Sequence, residues 1–175
     1  MLLKIKNTTL EYHRVGSGPL IILFHSTASS LNQWHSLINL LKNEYEIIAI
    51  NLFGYGLTSK WIENNNPQNL LDHVKLTEPF INSYKGKITF IGHSFGGSVA
   101  MRAALEFQIK LNKLILLEPN AFFILNNKDH TYAYNIANNF GKEINEAKIN
   151  SNWKDFAKIF LEFWIGKGTW EKMKP

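Results

Sequence analysis

Six residues, Gly92-His93-Ser94-Phe95-Gly96-Gly97, constrain this chain more than any other stretch of it. They stand between a predicted strand at 88–91 and an alanine-rich helical pattern reaching about residue 107. Glycines two positions to either side of the serine let the chain leave a strand through a sharp, strained turn and enter a helix at once. Such a turn exposes the Ser94 hydroxyl at the carboxyl end of the strand. The amides that open the following helix favour negative charge in the same space. A glycine-rich strand-to-helix turn without chemistry is the plainer alternative. The position of the serine directly after a strand speaks for the reactive one.

Around this turn, short apolar runs alternate with helical patterns. Segments 3–6 and 9–13 flank Asn7-Thr8 and predict a small hairpin. Residues 20–24 form a continuous apolar run after the turn Gly16-Ser17-Gly18-Pro19 and predict a buried strand. Ser29 and Ser30 are candidate N-caps for a helix carrying Leu31, Trp34, Leu37, Ile38 and Leu41 on one face. A further strand is expected at 46–51, ending in a loop punctuated by Gly54 and Gly56. Asn64, Asn65 and Asn66 read as a loop. Pro67 is expected to open a helix through Leu70, Leu71, Val74 and Leu76, with Pro79 kinking or ending it.

Residues 113–117 predict another strand, apolar on both faces. Beyond Pro119 the alternation stops, and 132–140 and 153–164 read as helices with aromatic-rich faces. The fold class is therefore α/β: a mostly parallel sheet with helices on both faces over 1–119, then a helical segment over 120–175.

Composition narrows the function. With 45% hydrophobic and 19% charged residues the chain is globular, and 175 residues suffice for one ordinary core. It has no cysteine, which excludes disulfides, thiolate metal sites and cysteine nucleophiles. No cofactor and no metal are expected. The net charge of +5 raises the question of nucleic acid, but Arg14 and Arg102 are the only arginines and the lysines are scattered. A binding footprint is clustered and favours arginine, so no nucleic-acid partner is expected. No stretch is long and apolar enough for a signal peptide or a membrane span, and a cytoplasmic protein without membrane contact is the expectation.

Three motifs in order then resemble the α/β-hydrolase superfamily, in its cap-bearing branch of small serine hydrolases. His25-Ser26-Thr27-Ala28-Ser29-Ser30 stands where that family has its His-Gly oxyanion loop. Asn51-Leu52-Phe53-Gly54-Tyr55-Gly56-Leu57-Thr58-Ser59 resembles its Asp-x-x-Gly-x-Gly-x-Ser loop, and residues 91–97 its nucleophile elbow. Residues 116–119 and 168–170 add weaker likeness, the latter within the cap. The resemblance implies Ser94 as nucleophile and the Phe95 backbone N–H as one oxyanion donor. The second donor would be Thr27 N–H, or else that of Ser26. Ser26 departs from the family glycine, and Asn51 from a structural aspartate. His25 and His93 are expected to be structural.

The resemblance also implies a triad in the chain order serine, acid, histidine. Pro175 arrives while the pattern is still that of the cap, so the chain is expected to be truncated and to lack the usual acid and histidine. Glu118 is the alternative acid, against a simpler role as a helper at the strand's end. His130 is the one histidine downstream of the elbow, in polar surroundings that do not mark a base. The activity implied is hydrolysis of a small-molecule ester, thioester or related acyl bond. The competing reading is a decayed hydrolase without activity, a ligand-binding relic or half of a split enzyme. Phe122, Phe123, Trp153, Phe156, Phe160, Phe163 and Trp164 are expected to be helix-packing core first and a substrate lid second. Strand 113–117, left at an edge, is expected to drive self-association or pairing with a complementing chain, or else to leave the chain poorly stable.

Overall fold

The structure is a computed structural model and describes residues 1–62 and 67–173. The reading of Asn64, Asn65 and Asn66 as a loop lies outside the described residues. The chain divides into two compact units, Met1–Asn120 and Ala121–Pro175.

The first unit is a six-stranded sheet in the order β1-β2-β4-β3-β5-β6. Its strands are β1 (Leu2–Ile5), β2 (Thr8–Val15), β3 (Leu20–Phe24), β4 (Glu46–Ile50), β5 (Ile88–His93) and β6 (Leu111–Leu117). β1 and β2 form the expected hairpin, with Ile5 paired to Thr8, so its turn is Lys6-Asn7, one residue earlier than anticipated. β2 runs on to Val15 because its second half pairs antiparallel with β4, from Tyr12↔Ile50 to Val15↔Ile47. The pairs β3–β4, β3–β5 and β5–β6 are parallel.

The central strands alternate between two cores. Leu20, Ile22 and Phe24 of β3, Ile48 and Ile50 of β4, and Ile88 and Phe90 of β5 face one side. There they meet α2 (Leu70–Lys75), α3 (Glu78–Ser83) and α4 (Phe95–Glu106) through Val74, Phe80, Ile81, Val99, Ala100 and Ala103. Ile21, Leu23, Ile47, Ala49 and Ile91 face the other side, against Trp34 and Ile38, the latter on α1 (His35–Leu41). Period-2 alternation in a doubly covered sheet favours apolar residues at successive positions, which is why β3 reads as an unbroken run. Each buried Leu, Ile, Val or Phe of the two cores contributes about 1.5–3 kcal/mol.

Two helix expectations need correction. The helix anticipated from Pro67 begins at Leu70, where Asn69 and Asp72 form a reciprocal capping box. Pro79 neither kinks nor ends it. The helix has already stopped at Lys75, and Pro79 sits in the first turn of α3. A proline is well placed there, since the first-turn amides have no intrahelical acceptor to lose.

In the second unit, α5 (Thr131–Ile149) packs with α6 (Trp153–Ile165), followed by the short α7 (Thr169–Lys172). Phe140 stacks on Phe163 at 3.9 Å, and Phe122 is stacked on Trp164 at 6.2 Å. These aromatics are spent largely on one another, while Phe123 and Trp153 remain exposed. No helix among the described residues is long and apolar enough to cross a membrane.

Candidate active site

Ser94 directly follows β5 and is the N-cap of α4 with φ 52° and ψ −116°, a left-handed φ that a β-carbon resists and that local packing must hold. The glycines explain how. A β-carbon at Gly92 would strike the Gly96 carbonyl, and one at Gly96 would strike the carbonyls of Phe24 and His25 at the end of β3. One at Gly97 would press on Pro119. The turn is also laced to the segment after β6. Ser94 N–H donates to the Leu117 carbonyl at 2.9 Å, and Asn120 N–H donates to the Ser94 carbonyl at 3.0 Å. Ser98 Oγ then donates to the Asn120 carbonyl at 2.7 Å. The half-buried Ser94 therefore has both neighbours, β3 and β6, bound to its turn.

The loop after β3 lies against the same turn through Gly96, and several of its amides have acceptors. Ser26 N–H donates to Gln33 Oε1 at 3.0 Å. Ala28 N–H donates to the Tyr55 hydroxyl at 3.3 Å, and Leu31 N–H to Asn51 Oδ1 at 2.8 Å. Thr27 N–H has no acceptor among the described residues, nor does Phe95 N–H at the start of α4. Of the two expected loop donors, Ser26 is thus committed and Thr27 is free.

His25 aims the free one. It is fully buried, and Leu52 N–H donates to its Nε2 at 3.1 Å. That leaves the proton on Nδ1, which donates to the Ser26 carbonyl at 2.8 Å. The Ser26 carbonyl and Thr27 N–H belong to one planar peptide and point in opposite directions, so fixing the carbonyl fixes the amide. Burial lowers the His25 pKa, opposed by the bond to Ser26, and keeps the ring neutral. With both nitrogens engaged, His25 has none left to accept a proton.

The remaining titratable residues are arranged more loosely. Gln33 Nε2 faces His93 Nδ1 at 3.4 Å, and His93 Nε2 lies 3.9 Å from Glu118 Oε2. Glu118 has φ 45° and a side chain 93% exposed. Ser94 Oγ makes no hydrogen bond with a described residue, so neither His93 nor Glu118 reaches it. His130 ends a short 3₁₀ turn of the second unit, its N–H donating to Asn127 Oδ1 at 3.1 Å. Among the described residues, no group of three or more His, Asp or Glu is placed to hold a metal ion.

Three participants escaped sequence reasoning. Glu11 accepts from Asn51 Nδ2 at 2.7 Å and from Leu57 N–H at 2.6 Å. An aspartate at 51 would set two carboxylates against each other, so asparagine suits this chain. His73 of α2 is buried edge-on to Phe95 at 5.3 Å and Phe53 at 5.7 Å, with Nδ1 unpartnered. Burial drives its pKa down to about 4, against the opposing pull of Asp72. Gln33 is the third. None carries a motif, because their partners lie 7 to 60 residues away in sequence.

Comparison with known proteins adds to this geometry. Residues 19–157 match the model of a family described as alpha/beta hydrolase fold. The chain is 29% identical over 164 residues to pimeloyl-(acyl-carrier protein) methyl ester esterase of Legionella pneumophila strain Paris, covering 91% of this chain and 64% of that protein. It is 24% identical over 163 residues to 2-hydroxy-6-oxo-6-(2'-aminophenyl)hexa-2,4-dienoic acid hydrolase of Metapseudomonas resinovorans, covering 82% and 54%. The chain therefore spans between about half and two thirds of the length of these curated relatives. An epoxide hydrolase from Vigna radiata superposes with a TM-score of 0.60 at 20% identity, over 66% of this chain and 37% of that one. At that identity the likeness is one of fold.

Proposed function

This chain belongs to the alpha/beta hydrolase fold family, and from that premise we propose that it is a serine hydrolase of a small acyl substrate, an ester or thioester, with Ser94 as nucleophile. The observation that carries the reading is the pairing of a strained Ser94 with two amides, Phe95 and Thr27, that have no acceptor among the described residues. Ser94 Oγ attacks the acyl carbonyl carbon and loses its proton to a general base. The carbonyl oxygen becomes an oxyanion that accepts from Phe95 N–H and Thr27 N–H. The alkoxide or thiolate then leaves as the acyl–serine ester forms, and water releases the acid. Each oxyanion donor of this kind is typically worth about 10²–10³ in rate. Ser26 serves the loop through Gln33 and not the oxyanion. Glu118 serves as a helper beside His93 and not as the acid.

The test is labelling by a fluorophosphonate probe, read by intact mass. Wild type is expected to gain one adduct and Ser94→Ala none. A folded wild type that gains none contradicts the reading. One observation favours a second reading: Ser94 Oγ has no imidazole partner among the described residues. On that reading the turn is inherited geometry, and this chain by itself turns nothing over. Loss of the base typically lowers kcat of a triad enzyme by about 10⁶, so the two readings separate widely in the same experiment.

A further inference from the structure

We propose that Gln33 is a positioning residue that holds the oxyanion loop in register with the Ser94 turn, a role that rests on the nucleophile reading above. The loop side is a double contact. Gln33 Oε1 accepts from Ser26 N–H at 3.0 Å and from Ser26 Oγ at 3.1 Å, which fills both lone pairs of the carboxamide oxygen. With Oε1 so oriented, Nε2 must face the other way. It meets His93 Nδ1 at 3.4 Å, a long contact to the residue immediately before Ser94. One side chain thus touches the loop that carries one oxyanion amide and the strand end that carries the nucleophile.

Gln33 is itself firmly held. It lies on the 3₁₀ turn Leu31–Trp34, which Ser30 caps by accepting from Asn32 N–H with its side chain. The Ser30 carbonyl accepts from Gln33 N–H at 3.1 Å, Asn51 accepts from Leu31 N–H, and Trp34 is buried beneath. The consequence concerns two successive peptide planes. His25 fixes the plane that contains Thr27 N–H, through the Ser26 carbonyl. Gln33 fixes the preceding plane, which contains Ser26 N–H. Together they leave Thr27 N–H little freedom to turn away from the space above Ser94. The serine at 26 gains a reason as well. Its hydroxyl supplies the second bond to Gln33, a contact no glycine could make.

The test compares Gln33→Met, which keeps the length and removes both bonds, with Gln33→Glu, which keeps an acceptor for Ser26. The readouts are the second-order rate of fluorophosphonate labelling at Ser94, the melting temperature, and amide hydrogen exchange at residues 26–28. Gln33→Met is expected to label roughly tenfold more slowly while melting close to wild type, with Ser26 N–H exchanging at least tenfold faster. Gln33→Glu is expected to recover labelling to within about threefold of wild type, a rescue that a space-filling role would not give. A folded Gln33→Met that labels at the wild-type rate overturns the proposal. If wild type itself is not labelled, the nucleophile reading has failed and exchange alone decides. Unchanged Ser26 exchange in Gln33→Met then overturns the proposal too.

Discussion

Ser94 stands between two unlike neighbours. On the β3 side most of the site is packed and bonded. All five residues of β3 are buried, His25 is buried behind them, and the Ser26, Ala28 and Leu31 amides of the loop have acceptors. On the β6 side the turn is held by main-chain bonds with Leu117 and Asn120 and by the Ser98 Oγ bond to the Asn120 carbonyl, with His93 only loosely approached by Glu118. Glu118 projects into solvent, and Ile115 and Leu117 are 40% and 45% exposed at the sheet's edge. β6 is apolar at five of its seven positions against five of five in β3, so composition alone did not decide their burial; the number of strands and helices around each did as well. The functional lesson runs parallel. On the proposed reading, the half of the chemistry that would stabilise negative charge is built from the interior, whereas the half that would move a proton has no side chain in bonding distance of Ser94 Oγ among the described residues.

The largest effect expected from breaking the built side is at His25. His25→Ala leaves the buried Leu52 N–H and the part-buried Ser26 carbonyl without their partner and opens a cavity. A loss on the order of 3–5 kcal/mol follows, checked by urea unfolding. A loss below about 1 kcal/mol would mean the loop is not anchored there.

His73 gives the next effect, as a pH dependence. Its pKa is about 4 in the folded chain against 6.5 for the free group, so the unfolded chain binds the proton more tightly. Stability is then complete above pH 6.5, falls as pH drops towards 4, and has lost about 3 kcal/mol below that. His25 shifts in the same direction. Replacing His73 with leucine should flatten the melting-temperature profile between pH 7 and 5. A profile unchanged by the substitution would remove His73 from the account.

Two smaller effects probe the open side. The exposed β6 edge should produce concentration-dependent association in light scattering, weakened about tenfold by Ile115→Lys. A wild type that stays monodisperse at every concentration would show that this edge is quiet. Glu118→Gln should change Ser94 labelling by less than about threefold, because an exposed charge 3.9 Å from His93 is worth little. A drop of a hundredfold would instead make Glu118 the acid.

The same contrast separates what the sequence makes legible from what it does not. An unbroken apolar run announces β3, and the glycines around Ser94 announce the turn, because local sterics alone demand them. Pro79 misleads because proline is equally at home after one helix and at the start of the next. The capping box of Asn69 and Asp72 was present in the residues and marks the true start. Gln33, Glu11 and His73 left no local trace. Their roles depend on partners brought together only by the fold, such as His93 for Gln33 and Phe95 for His73.

The most direct test of the prebuilt charge-stabilising side is amide hydrogen exchange by NMR on protein phosphonylated at Ser94. Slowed exchange and downfield shifts at both Phe95 and Thr27, with Ser26 unchanged because Gln33 already holds it, are the predicted result. An adduct that leaves Thr27 untouched and protects some other loop amide would contradict the assignment of the cradle.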